Sequence, residues 1–284
     1  MPAAANVHPA AHVDDDAEIH PSASVGPGAF VGPRVTIGEN VTLRAGAQVV
    51  QDATIGAGCD LHPGAVVGGD PQDLKYDPSQ SARVELGAGC VVREGATVSR
   101  GAGDAGPTTL GAGCYLMAQA HVGHNCRIGD RVIIANGACL AGHVRVGAGC
   151  FISALSLLHQ FIDIGEMCML QGGAGVGQHV PPFCLVAHGP NTGVLGLNRV
   201  GLRRSGRFTR EELDHLKTAF RHVYRRREEP DWTLDRAIEE AGGATSGAAA
   251  GAFLAFCRAA MAHSPPRARG LLGPASLSRA ARED

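Results

Sequence analysis

Aliphatic residues recur every sixth position along most of the first 176 residues. Val7, Val13, Ile19, Val25, Val31, Ile37, Leu43, Val49, Ile55, Leu61 and Val67 make the first run without a miss. The pattern pauses at Asp70 to Arg83, returns at Leu86, Val92 and Val98, pauses again at Arg100 to Thr109, then runs by sixes from Leu110 to Val176. Self-similarity at a fixed period marks a repeat architecture, in which each unit buries its apolar face only against its neighbours. The two pauses are insertions, and insertions in a solenoid emerge as surface loops where binding groups collect. After Val180-Pro181-Pro182, where regular stacking is expected to end, the texture changes near Gly196. Thr209-Arg210-Glu211-Glu212 has the capping-box pattern, and Leu213, Leu216, Phe220, Val223 and Tyr224 follow at helical spacing, which predicts a helix over about 209–228. Two more helices are predicted over 233–241 and 248–261.

A hexad with an inward aliphatic, often followed by Gly, and a small residue two places before the next aliphatic resembles the hexapeptide-repeat transferases. That resemblance implies a mainly β chain: a left-handed parallel β-helix, triangular in section, with three hexads per 18-residue coil and glycine serving the corners where positive φ is cheap. The repeats fill about nine coils, or roughly 43 Å of prism at about 4.8 Å per coil. The expected organisation is a β-helix over 1–195, a small α-helical domain over 196–262 and an unstructured tail over 263–284.

Composition agrees with a core of small and aliphatic side chains: 40 glycines, only 4% aromatics and a net charge of -2. That charge leaves no reason to expect a nucleic-acid partner. No apolar run is long enough to span a membrane and the start lacks a secretory pattern, so a cytoplasmic protein is expected. The nine cysteines contain no C-x-x-C pair. Cys59, Cys90, Cys114 and Cys150 each follow Gly-Ala-Gly, which reads as buried filler rather than a zinc or disulfide framework. Cys150 and Cys168 stack one coil apart, and in a reducing compartment are expected to stay thiols.

The 18-residue coil converts sequence separation into proximity. His124 and Gly142 fall in one slot on adjacent coils, as do Asn125 and His143, so one corner gathers His121, His124, Asn125, Gly142 and His143. A neutral imidazole takes a proton from a hydroxyl near pH 7, and the Gly142 N–H can receive the oxyanion formed when that hydroxyl attacks a thioester. A base beside an oxyanion donor points to an acyltransferase. A metal centre is not expected: the trimeric γ-class carbonic anhydrases of this fold carry two histidines five residues apart, a pair this chain lacks.

Asp70-Pro-Gln-Asp-Leu-Lys-Tyr76, Ala120-His-Val-Gly-His-Asn-Cys126, Leu140-Ala-Gly-His-Val144, Leu158-His-Gln160 and Gly201-Leu-Arg-Arg204 together resemble, in order, the motifs of the acyl-ACP:UDP-N-acetylglucosamine O-acyltransferases, which open lipid A synthesis. The similarity covers about residues 7–262. It implies that His124 is the general base on the glucosamine 3-hydroxyl and that Gly142 supplies the oxyanion contact. His121 would help hold the sugar, and Asp73 and Lys75 would reach sugar and acyl group across a subunit boundary. His143 and His159, with Gln160 beside them, would line the sugar and phosphate site, while Asn198 and Arg204 would face the nucleotide. The resemblance further implies a homotrimer, a UDP-sugar substrate and no cofactor beyond the phosphopantetheine-linked acyl group carried by acyl carrier protein. That carrier is acidic, and Arg199, Arg203, Arg204, Arg207, Arg210, Arg221 and Arg225 to Arg227 offer it a basic surface. Gly172 and Gly173 would leave room for the acyl chain, with Met169 or Gln171 closing the groove.

Four positions depart from the family pattern. Ser99 stands where a histidine is usual, Asn125 replaces the aspartate that commonly follows the base, and Val200 and Ser205 replace polar or charged residues near the nucleotide. A 3-amino sugar acceptor is therefore a competing expectation, with a coenzyme A-dependent acetyltransferase of the same fold behind it. The related N-acyltransferases carry a domain ahead of their prism, for which the few residues before Val7 leave no room. A catalytically silent hexapeptide scaffold is a further alternative; the chemistry gathered at His124 argues against it, and binding of acyl carrier protein without turnover would argue for it.

Overall fold

A computed structural model describes residues 5–189, 192–227, 229 and 231–275, and in it the hexads wind into the expected left-handed parallel β-helix of about ten turns. Among the described residues three sheets hold eleven, nine and nine short strands, parallel throughout except for Gly101–Ala102 and Gly193–Leu197. The coil register is the one the period requires: His121 pairs with Cys139 and Val122 with Leu140, eighteen residues on. Leu61, Leu116, Ile134 and Leu140 point inward and are fully buried, and the buried Cys59, Cys114, Val132 and Ala138 two places earlier fill the gap beside each. The nine cysteines are free thiols, eight of them buried. Several satisfy corner carbonyls, Cys126 donating to Ala141 O at 3.2 Å and Cys150 to Gly165 O at 3.0 Å. Burial pushes the Cys126 thiol up to about 12, so it stays protonated and is no nucleophile.

Glycine is not the sole corner residue. Asn125 (φ 58°) and His143 (φ 62°) hold left-handed backbone at the corner that matters most for function. Asparagine and histidine tolerate that region better than other side-chain-bearing residues.

The two insertions pack against each other. Strand Ala82–Leu86 closes the first, and its Ala82 and Arg83 pair antiparallel with Ala102 and Gly101 of the second. Arg100, 3% exposed, anchors the base of the first loop through Asp52 at 3.0 Å and through Asp70. Stacking also continues one strand past the expected stop at Val180-Pro181-Pro182. Leu185 and Val186 pair with Met169 and Leu170, and the chain then folds back as an antiparallel hairpin, Cys184–Ala187 against Gly193–Leu197.

Four helices follow: α1 (Arg199–Ser205), α2 (Arg210–Phe220), α3 (Leu234–Ala244) and α4 (Ala248–Ala262). Helix α2 opens on the predicted capping box, with Glu212 N donating to Thr209 Oγ1 at 3.2 Å and Thr209 N to Glu212 Oε2 at 2.9 Å. A π turn over Arg221–Arg225 extends it, and Leu216, Phe220, Val223 and Tyr224 pack with Phe253 and Leu254 of α4. Helix α1 was not predicted, because seven residues with one buried apolar side chain, Leu202, give no period to detect.

The tail differs from expectation. From His263 to Ala275 it is ordered against the prism: Leu271 bridges to His179 and Pro274 to Val194, while Leu271 and Leu272 are buried. Two adjacent leucines in a stretch rich in Pro, Ser, Arg and Ala show no period, so their anchoring role is invisible without the surface that receives them. Residues 276–284 of the expected unstructured tail lie outside the described residues.

Candidate active site

The corner gathered by the period forms as expected. A Cβ on Gly142 would overlap the His124 imidazole at Nε2, so glycine lets that ring lie flat against its neighbouring coil. The Gly142 N–H donates to no acceptor among the described residues and is available to a ligand. His143 N donates to His124 O at 2.9 Å, and the two rings meet edge-on at 5.0 Å. Phe161 stacks on the other face of His143 at 4.5 Å.

Asn125 determines how the base is held. It is 5% exposed, and its Nδ2 donates to Ala102 O at 2.9 Å and Gly106 O at 2.7 Å, both in the second inserted loop. With the amide nitrogen so committed, Oδ1 must be the atom facing His124 Nδ1 at 2.8 Å. An oxygen there accepts, so Nδ1 carries the proton and Nε2 is the unprotonated ring nitrogen, with the face of the ring packed over Gly142. Asn125 thus selects the His124 tautomer without bringing a charge. Thr108 completes the support by accepting from Asn125 N at 2.8 Å.

An open cavity of about 420 Å³ faces this corner, lined among others by Gln72, His121, His124, Gly142, Leu157 and Gln160. His121 shares its Nδ1 with the Thr97 hydroxyl at 2.7 Å, and burial, aided by His124, moves its pKa down. Burial, then His124 and Arg267, push His143 down to about 4, against a smaller upward pull from Asp73. Both imidazoles are therefore neutral near pH 7 and can donate or accept.

The remaining expected residues divide. Asp73 and Lys75 sit on the exposed first loop, where Asp73 Oδ1 accepts from Lys75 N at 2.9 Å. Asp73 acts on His143 of its own chain, and Gln72 lines the cavity of its own chain. His159 is exposed, its Nδ1 3.1 Å from Gln160 O. Asn198 and Arg204 do not line the cavity. Asn198 caps α1, accepting from Gly201 N at 3.1 Å and donating to Met167 O at 2.9 Å, while Arg204 is exposed without an ion pair among the described residues. Ser99 is buried; Val200 is exposed, and the Ser205 hydroxyl donates to Leu202 O. Gly173 faces the ring of His188, whose N–H donates to Gln171 Oε1. Of the expected basic surface, Arg207 pairs with Glu166, and Arg226 with Glu229 and Glu240. Arg199, Arg203, Arg210 and Arg221 make no ion pair among the described residues. Thr97, Thr108 and the second-loop carbonyls escaped the sequence reading because the insertions break the period that located the histidines.

Residues 179–271 match the family model described as UDP N-acetylglucosamine O-acyltransferase, domain 2, and residues 34–69 and 107–142 match the bacterial transferase hexapeptide (six repeats). The acyl-[acyl-carrier-protein]–UDP-N-acetylglucosamine O-acyltransferase of Synechocystis is 38% identical over 195 residues, 68% of each chain. The protein of that name from Campylobacter lari is 36% identical over 223 residues, 78% of this chain and 83% of the relative. The solved UDP-N-acetylglucosamine acyltransferase of Campylobacter jejuni superposes with a TM-score of 0.84 at 31% identity, covering 95% of this chain and all of that one. With repeats, C-terminal helices and overall fold all matched by relatives of one kind, the chain belongs to the family of acyl-[acyl-carrier-protein]–UDP-N-acetylglucosamine O-acyltransferases.

Proposed function

We propose that this protein transfers an (R)-3-hydroxyacyl group from the phosphopantetheine thiol of acyl carrier protein to the glucosamine 3-hydroxyl of UDP-N-acetylglucosamine, the opening step of lipid A synthesis. His124 Nε2 takes the hydroxyl proton as the oxygen attacks the thioester carbonyl, and the Gly142 N–H receives the oxyanion. The imidazolium then returns the proton to the departing thiolate. The observation that carries this reading is the 2.8 Å contact of His124 Nδ1 with Asn125 Oδ1, which leaves Nε2 as the basic nitrogen of a ring packed flat over a glycine whose N–H has no acceptor among the described residues. His121, His143, His159, Gln160, Asp73 and Lys75 hold sugar and acyl group, and no metal or further cofactor enters. Asn198 and Arg204 serve the nucleotide from the neighbouring protomer of a cytoplasmic homotrimer. Acyl carrier protein docks on the basic surface of α1 and α2, where Arg199, Arg203 and Lys217 rim an apolar groove floored by Leu197, Leu202 and Leu213.

The test is turnover of purified His124→Ala with 3-hydroxyacyl carriers of several lengths. The variant is expected to keep its fold and assembly and to lose about 10²- to 10⁴-fold in kcat; unchanged turnover would refute the role of His124. Running the wild type against the 3-amino sugar in parallel identifies the acceptor, a preference for the amine overturning the 3-hydroxyl.

A further inference from the structure

The segment from His263 to Ala275 leaves α4 and returns across the prism as a strap. His179 N donates to Gly270 O at 2.9 Å and Leu272 N to His179 O at 2.8 Å, so the strap is hydrogen-bonded along the prism edge. Tyr224 Oη donates to Leu272 O at 3.0 Å, tying it to the helices.

Arg267 is where the strap meets the catalytic corner. Its Nη2 donates to His143 O at 2.7 Å and its Nη1 to Asp163 Oδ1 at 2.7 Å. Asp163 is 8% exposed and also pairs with His263 Nε2 at 3.0 Å. His179, fully buried, accepts from Asp163 N on Nδ1 at 2.9 Å and donates from Nε2 to Arg267 O at 2.7 Å. Asp163, His179 and His263 lie close enough together to suggest a metal site. With both His179 nitrogens committed and Asp163 paired to a guanidinium, the cluster is instead a clasp that fixes Arg267.

What Arg267 grips is a left-handed residue adjoining the oxyanion donor. The N–H of His143 is held by His124 O, and its carbonyl by Arg267, so the two ends of one residue are fixed by the base and by the tail. Left-handed backbone with a side chain persists only where the surroundings impose it.

We infer that Arg267 is a positioning residue for acyl transfer, holding the Gly142–His143 turn so that the Gly142 N–H and the His143 ring keep register with His124. The inference rests on the reading of His124 and Gly142 as base and oxyanion donor. Its charge also adds to the burial that keeps His143 neutral, so its removal lets that imidazole titrate at higher pH.

The test compares full-length Arg267→Gln, Arg267→Lys, Tyr224→Phe and His124→Ala in the acyl carrier protein assay. Arg267→Gln is expected to lose about 10- to 100-fold in kcat, the scale of a misplaced reacting geometry, with KM for both substrates within about threefold. Millimolar guanidinium ion should restore part of that turnover, and the His143 ring proton should titrate above its wild-type value of about 4. Tyr224→Phe loosens the strap without touching the guanidinium and should turn over normally. Arg267→Lys, which keeps the charge but one contact at most, should fall between and serves if the Gln variant does not fold. Wild-type kcat in both Arg267 variants overturns the inference, as does an equal kcat loss in Tyr224→Phe, which would mean that the strap contributes only stability. Full turnover in His124→Ala would instead bring down the site reading itself.

Discussion

Asn125 decides more than its size suggests. Its buried amide answers three groups at once: it donates to two loop carbonyls and accepts from the base. An aspartate there would strengthen the hold on an imidazole N–H, yet in this chain it would turn a carboxylate oxygen toward Ala102 O and Gly106 O. Two acceptors facing an acceptor leave buried carbonyls unpaired, at about 1–3 kcal/mol each. Asn125→Asp is therefore expected to lower the melting temperature and to give no gain in kcat, even though it sets a negative charge beside the imidazole. A variant as stable as wild type and faster in the acyl-transfer assay would mean that the amide is turned the other way and the tautomer argument fails.

Among the elements, the inserted loops do what the repeat cannot. A coil supplies positions at fixed spacing, but it cannot deliver a carbonyl to Asn125 Nδ2 or bring Gln72 to the cavity. Arg100 holds this addition in place from inside, and its own Nε is buried without a partner, a cost accepted for pinning Asp52 and Asp70 together. Arg100→Met should cost about 1–3 kcal/mol, the scale of a lost charge-assisted hydrogen bond, because Asp70 is largely exposed and Asp52 keeps its pair with Arg34. It should also expose the segment from Asp70 to Arg83 to limited proteolysis and raise KM for the UDP-sugar more than it lowers kcat. Uncut loops and an unchanged KM would show that Arg100 supports only the prism. These loops also mark the limit of what could be read from the chain. Period six gave the prism, and eighteen gave His124 beside Gly142, because stacking turns arithmetic into contact. The capping box gave the start of α2 for a similarly local reason. The antiparallel pairing of the two insertions, the short α1 and the strap around Arg267 depend on contacts between segments with no shared period, so nothing local announced them.

At the scale of the whole molecule, the cavity is too open to work alone. About 420 Å³ lies on the flank of one prism, beside the exposed side chains of Leu155 and Leu157, with Leu74 standing free on the first loop. Apolar groups left at the rim of a polar site are expected where a second copy closes it. Arg204 and Asn198 lie on the segment beyond the prism and off the cavity of their own chain, so the nucleotide role proposed for them requires that they reach it from a neighbour. This geometry makes a quantitative prediction for trimers assembled from equal amounts of His124→Ala and Arg204→Ala chains, each nearly inactive alone. If every site takes its base from one protomer and its arginine from the next, any mixed trimer contains one site with both residues intact. Random assembly then returns about a quarter of the wild-type rate, whereas sites built within single chains return nothing. Co-refolding the two variants and assaying the mixture against each alone separates these cases, and absence of recovery would place the nucleotide contacts of Arg204 within its own protomer or remove them from the site.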